Sequence, residues 1–207
     1  LSSEQRFDGS VRLIEMDWSG APAELIQNGI FMSDIWDTNP KQLQMWTSSA
    51  KQFAADSTHM LCVSHPEWNG LATIGTLDWT DYTAAATIVF GAAKAAGMVL
   101  RSKGHRQYYA AAFSNGNAYI MLMSRGSRKV LAQVACKIEP DSKHYISFSC
   151  CGSMLTLKMD DSVLLHAEDS TFSRGGCGFL VDCGTILVDD ISICASRKKQ
   201  NEMGEQR

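Results

Sequence analysis

The sequence predicts an all-β protein built as one two-layer antiparallel sandwich, and three observations carry that prediction. From Thr83 onward the chain is a succession of short segments in which apolar and polar side chains alternate with period two. Turn-forming strings such as Ser114-Asn-Gly-Asn117 and Asp160-Asp-Ser162 separate these segments. Helical periodicity is scarce, and the strand-helix alternation of a parallel sheet does not occur. With 207 residues, 45% hydrophobic and 20% charged, the chain can bury one large core.

The clearest alternation runs from Val130 to Ile138, where Val130, Ala132, Val134, Cys136 and Ile138 share one face while Gln133 and Lys137 point the other way. Ile146, Phe148 and Cys150 oppose Ser147 and Ser149, and Leu155, Leu157 and Met159 oppose Thr156 and Lys158. Beyond the Asp160-Asp161-Ser162 reversal, Val163, Leu165 and Ala167 return on the inward face, making a hairpin. Further strands are expected at Thr83–Phe90, Gly97–Arg101, Gln107–Phe113, Ala118–Ser124, Gly176–Val181 and Thr185–Cys194. The string Gly91-Ala-Ala-Lys-Ala-Ala-Gly97 reads as a connector, because its flanking glycines disfavour a helix.

In the first eighty residues Val11–Asp17, Leu43–Thr47 and Leu71–Leu77 read as strands, and Pro22–Met32 as a short helix opened by its proline. No repeat or linker divides the chain, so residues 1–195 are expected to form one sandwich domain. Residues 196–207 offer no apolar face and read as a disordered polar tail. The chain starts at Leu1 with no signal segment, which reads as a piece of a longer protein.

Composition narrows the partners. A net charge of -3 lacks the cationic surplus that phosphate-backbone binding needs, so no nucleic acid is expected. The densest apolar run, Tyr119-Ile-Met-Leu-Met123, has strand length, so no membrane span is expected either. The seven cysteines, Cys62, Cys136, Cys150, Cys151, Cys177, Cys183 and Cys194, show no Cys-x-x-Cys or zinc spacing. Several sit at strand positions among Ile, Val and Phe and read as buried reduced thiols, which leans towards a cytoplasmic setting.

Catalytic signatures are sparse. Sandwich glycosidases need paired carboxylates flanking one bond, and the single partial match, Glu15-Met-Asp17, lacks its second acid. Glu67, Glu139 and Glu168 read as solvated loop charges, and neither a nucleophile elbow nor a phosphate loop occurs. No cofactor is expected. A structural calcium at Asp160-Asp161 or Asp189-Asp190 is possible, although turn chemistry explains both pairs.

Binding signatures are richer. Trp36, Trp46, Trp68, Trp79, Tyr82, Tyr108 and Tyr109 offer rings on which a sugar face can stack, against the ordinary reading of such rings as packing. Arg101, the basic loop ending at Arg106, and Tyr108-Tyr109 form a cluster. If Arg101 shares the Val99 face, its guanidinium stands on a sheet surface where it can pair with a ligand; otherwise a nearby Asp or backbone carbonyl satisfies it. The residues expected to bind a ligand are Arg101, Tyr109, Trp79, Trp68 and Arg106.

Leu77-Asp-Trp-Thr-Asp-Tyr82, Ala96-Gly-Met-Val-Leu-Arg101, Tyr108-Tyr-Ala110, Val188-Asp-Asp-Ile-Ser-Ile193 and the earlier Asp17-Trp-Ser-Gly-Ala-Pro22 together give the chain a family likeness. It resembles a concanavalin A-like module, a lectin and glucanase sandwich of the jelly-roll type, found as the C-terminal domain of ADP-ribosylglycohydrolase-family proteins. In such proteins the hydrolase chemistry belongs to a separate metal-binding helical domain that nothing here resembles. The resemblance therefore implies a noncatalytic accessory module that binds a carbohydrate or an ADP-ribose-like ligand, with a catalytic domain of the same parent chain as a further partner. The alternatives are a structural domain that packs on such a partner through strands like Tyr119–Met123, and a glycoside hydrolase that uses Glu15 or Asp17.

Overall fold

Three two-residue turns have positive φ at both central residues: Asn115-Gly116 (51° and 75°), Arg125-Gly126 (52° and 87°) and Asp160-Asp161 (49° and 64°). That backbone matches the right-handed twist of the strands it joins, so each turn closes a tight antiparallel hairpin. The hairpins and the strands around them were obtained as a computed structural model, which describes residues 30–33, 43 and 45–196.

Among the described residues, fifteen strands form two antiparallel sheets. The first contains β1 (Ile30–Ser33), β3 (Gln52–Ala55), β4 (Leu61–His65), β6 (Tyr82–Phe90), β11 (Lys143–Cys151), β12 (Met154–Met159), β13 (Ser162–Glu168) and β15 (Gly184–Ala195). They run in the order β13-β12-β11-β6-β15-β4-β3, with β1 on β15. The second contains β2 (Thr47–Ser48), β5 (Gly70–Ile74), β7 (Ala95–Ser102), β8 (Gln107–Ser114), β9 (Asn117–Ser124), β10 (Ser127–Ala135) and β14 (Gly176–Asp182). Its order is β10-β9-β8-β7-β14-β5-β2.

Alternation places the core between the sheets. Ala84, Ala86 and Ile88 of β6, Ile146 and Phe148 of β11, and Ile191 and Ile193 of β15 face Met98 and Leu100 of β7, Ala111 of β8, Ile120 of β9 and Phe179 of β14, all at most 1% exposed. The two sheets differ on their outer faces. The first is largely polar there, with Thr83, Thr87, Ser147 and Ser149. The second carries a separate apolar cluster of Leu71, Val99, Tyr108, Ala110, Ala112, Met121, Met123 and Leu180, buried to 4% exposure or less.

Two faces expected from strict alternation are reversed at the sheet edges. A bulge between Val130 and Ala132 in β10 turns Val130 outward to 50% exposure, while Ala132, Cys136 and Ile138 still pack against the core. A second bulge, opposite Leu157 and Lys158 of β12, turns Val163 of β13 outward to 49% exposure and keeps Leu165 and Ala167 inward. One inserted residue flips every side chain before it, and bulges concentrate at edges.

Other expectations are also corrected. Ile30–Met32, the end of the expected helix, lies in a strand paired with Ile191–Ile193. Of the described residues in Leu43–Thr47, only Thr47 is in a strand. Tyr119–Met123 is not an exposed apolar surface: Ile120 and Met121 are fully buried. Strands β3 and β4 were not expected. Val11–Asp17, Pro22 and tail residues 197–207 lie outside the described residues, as do Glu15 and Trp36.

Candidate functional site

The Arg101 cluster forms, but inside the protein. Arg101 has a left-handed backbone (φ 49°) opposite a bulge between Gly176 and Gly178, and this breaks the alternation that would have set it beside Val99 on the outer face. Its side chain is 1% exposed. Nε donates to the Thr80 carbonyl (3.2 Å), Nη1 to the Phe172 carbonyl (2.8 Å) and Nη2 to the Asp81 carboxylate (3.0 Å). The reading in which neighbours satisfy Arg101 is the one that holds.

Its companions are internal too. Trp79 is 1% exposed and packs edge-on against Tyr82, with ring centroids 5.8 Å apart. Tyr109 is fully buried, its hydroxyl donating to the Asp169 carboxylate (2.6 Å). Adjacent residues on a strand point to opposite faces, so it is Tyr108, not Tyr109, that looks outward. A hollow of about 300 Å³ at this end is walled by Asp81, Arg101, Gly152, Ser153, Ser170 and Phe172, and each of the three guanidinium nitrogens donates one bond to the chain. Arg106 is exposed and braces a turn, donating to the Arg125 carbonyl at 3.0 Å. Of the residues expected to bind a ligand, Arg101, Tyr109 and Trp79 are thus at most 1% exposed, with Arg101 in the wall of that hollow.

Trp68 stands elsewhere, over the outer face of the second sheet, with 55% of its surface exposed. A backbone bond holds its loop, from Cys183 N–H to the Glu67 carbonyl (2.9 Å), and another fixes Lys94, from its N–H to the Asp182 carbonyl (3.0 Å). The neighbouring Asn69 adopts φ 62° and donates its N–H to the Asp182 carboxylate at 2.6 Å. Asn69 also accepts the Tyr108 hydroxyl at 3.3 Å. The other Asp182 oxygen receives Arg128 Nη2 at 3.2 Å, with the carboxylate 1% exposed and the arginine side chain 32%.

That ion pair reveals the shape of the face. Arg128 belongs to β10 and Asp182 to β14, separated by β9, β8 and β7. Four strand spacings of about 4.8 Å are more than these two side chains bridge over a flat surface, so the sheet curls into a trough. Ala110, Ala112 and Leu180 lie beneath that face as part of its buried apolar cluster. On one flank a hollow of about 210 Å³ is lined by Asn115, Asn117, Tyr119, Arg128, Val130 and Gln133. Burial pushes the Tyr119 hydroxyl above its usual range, and burial together with nearby Asp182 does the same to Tyr108, so both stay neutral donors.

No protein-family model matches the chain, and no curated protein matches it. Solved structures do. Carbohydrate binding module CBM66 from Bacillus subtilis is similar with a TM-score of 0.67 and 18% identity, over 73% of this chain and 96% of that one. The β-glucanase of Bacillus licheniformis is similar with a TM-score of 0.61 and 8% identity, over 81% and 98%. A Bacillus subtilis protein of unknown function with a galectin-like fold gives 0.57 and 12%, over 81% and 100%.

The fold is that of the concanavalin A-like sandwiches.

Within this concanavalin A-like sandwich, the burial of both faces of the second sheet was legible in the sequence. Strands β8 and β9 contain Tyr108-Tyr-Ala-Ala-Ala-Phe113 and Ala118-Tyr-Ile-Met-Leu-Met123, continuous apolar runs that mark a sheet shielded on both faces. Lys94, Asn117, Arg128, Gln133 and Asp182 were missed because nothing local ties them to Trp68.

A Ser142, His144 and Asp160 line elsewhere on the sandwich superficially suggests a nucleophile relay. His144 Nδ1 lies 2.8 Å from Asp160 and Nε2 lies 3.1 Å from Ser142 Oγ. The Ser142 hydroxyl donates to the Glu139 carbonyl at 2.6 Å, however, so its proton is not offered to the imidazole, and the line serves to pin two turns. Asp189 pairs with Lys143 (2.5 Å), and Asp190 accepts the Thr87 N–H (2.7 Å). Among the described residues no three His, Cys, Asp or Glu side chains gather as a metal site.

Proposed function

We propose that this chain is a noncatalytic accessory module that binds a carbohydrate in the trough of its second sheet, with Trp68 as the aromatic anchor. One observation carries the reading: a half-exposed tryptophan in a clamped loop stands against Arg128, which lines a hollow together with amide and phenol groups. Sugar rings have an apolar face that packs on indole and hydroxyls that pair with such groups, and a pre-set site saves the cost of ordering it. The likeness to a carbohydrate binding module supports the reading at the level of fold. An ADP-ribose-like ligand and a parent hydrolase chain are the narrower form of the same proposal.

A glycan array followed by calorimetry tests it, with Trp68→Ala as the control. Binding to at least one glycan that weakens at least tenfold in the variant is the expected result. An empty array, together with no heat from ADP-ribose, would overturn it.

A second reading is a structural domain that packs on its catalytic partner. It is favoured by Val130 and Val163, about half exposed on edge strands β10 and β13, which lie against each other. Sedimentation of the isolated chain as a monomer at all concentrations would count against self-association through that edge.

A further inference from the structure

Two cations stand over the Trp68 ring in a chain whose net charge is -3. Lys94 Nζ lies 4.1 Å from the centroid of the Trp68 ring, and the Arg128 guanidinium carbon lies 5.8 Å from it. Neither is placed by chance. Lys94 is fixed through its backbone, its N–H donating to Asp182 and its carbonyl accepting the Ser114 hydroxyl at 2.7 Å. Arg128 is oriented by Asp182, which engages Nη2 and leaves the rest of a five-donor fork beside the hollow lined by Asn117, Tyr119 and Gln133.

The Asp182 charge is sequestered, while Glu67 of the Trp68 loop is exposed. Asp182 is buried, and both of its oxygens are occupied, one by Asn69 and one by Arg128. What stands open to a ligand at the indole is an ammonium 4.1 Å and a guanidinium carbon 5.8 Å from the ring centroid. A neutral sugar would gain little from this arrangement and would have to displace cations from the ring it needs for stacking. A ligand with its own negative charge would draw those cations off the ring into charge-assisted hydrogen bonds and uncover the indole for its sugar face.

We infer that the trough takes an anionic saccharide, whose carboxylate, sulfate or phosphate is held between Lys94 and Arg128 while its ring lies against Trp68. This rests on the reading that the trough binds carbohydrate, and it names the class of ligand.

The full chain is applied to a glycan array that presents galactotriose, its uronate form and its 6-O-sulfated form side by side with other matched neutral and acidic pairs. Calorimetry with ADP-ribose and with ribose adds the pyrophosphate source. Acidic members are expected to bind roughly tenfold or more tightly than their neutral partners at low salt, a preference that shrinks as salt rises. Lys94→Met keeps an apolar stem over the indole and is expected to erase most of the preference. Arg128→Lys keeps the charge paired with Asp182 but removes the fork, and is expected to erase part of it. Neutral glycans that bind as well as their acidic partners, and depend on Trp68, would overturn the inference and leave the carbohydrate reading standing. An acidic preference untouched by both substitutions would place the anion elsewhere and overturn it too. An empty array with no ADP-ribose heat would overturn both.

Discussion

Asp182 and Arg128 meet at 3.2 Å across the breadth of the second sheet, and the carboxylate is almost wholly buried while the guanidinium remains a third exposed. The asymmetry separates their roles. Asp182 is a structural hub that also takes the Asn69 N–H at 2.6 Å, and Arg128 is the arm it steadies over the trough.

Replacing Asp182 by Ala strands the Asn69 N–H and releases Arg128. Loss of these bonds is expected to cost about 1–2 kcal/mol, because two charge-assisted bonds to a buried carboxylate go with it. Denaturant unfolding measures the loss, and ligand affinity in the folded variant should fall as well, since the Trp68 loop loses its anchor.

The opposite end of the sandwich should behave differently. Arg101→Met removes donors from the Thr80 and Phe172 carbonyls and leaves Asp81 without its cation, so a destabilisation of about 3 kcal/mol is expected. Glycan affinity of the remaining folded protein should be unchanged. A variant of normal stability that has lost binding would return Arg101 to the ligand site.

Tyr82→Phe probes the same knot with less disruption. The Tyr82 hydroxyl is buried, reaches the Gly175 and Gly176 carbonyls at 2.8 and 2.9 Å, and accepts the Arg101 N–H at 2.9 Å. Its removal should cost about 1–3 kcal/mol in thermal or denaturant unfolding.

Gly97→Ala tests close packing of the sheet beneath the trough. A Cβ there would lie 2.1 Å from the Ala111 carbonyl oxygen, which is backbone and has nowhere to move. A destabilisation of at least about 1–3 kcal/mol is expected, or failure to fold.

The pH profile follows from groups at both extremes. Burial, and then the Asp169 hydrogen bond, push Tyr109 up to about 12, and burial pushes the Cys150 thiol up to about 11. A folded-state pKa raised above the unfolded value favours the neutral form in the fold, so this stability is complete below the unfolded values and is lost as pH rises through roughly 9 to 12. On the acid side, burial raises the Asp169 carboxyl, but hydrogen bonds from Thr171 and Tyr109 outweigh it and leave the group below its ordinary value. Burial likewise opposes, and His144 outweighs, at Asp160. Their stabilisation is present above about pH 4 and fades below it. Thermal melts from pH 2 to 12 should trace a broad plateau with a cooperative alkaline loss.

The hairpins were readable because each is decided within a few residues: Asp160-Asp161 and Asn115-Gly116 carry their turn conformation in their own chemistry. Val130 and Val163 were misassigned because a bulge leaves no mark in a period-two pattern until the partner strand is known. The site was less legible than the fold. Trp68 was singled out from its ring alone, whereas Asp182 lies 113 residues from the Asn69 N–H it accepts and 54 from Arg128. No local pattern links such positions; only the curl of the sheet brings them together. Arg101 misled for the converse reason, since one residue of left-handed backbone moved it from the surface to the interior.

The most direct test is to follow the Trp68 indole N–H by nuclear magnetic resonance while titrating the glycan that binds best on the array. Saturable shifts are expected at Trp68, with Lys94, Asn117 and Tyr119 moving along the same isotherm, and no change at Trp79 or Arg101. Shifts confined to the Arg101 and Phe172 end, with Trp68 unmoved at saturation, would contradict this expectation.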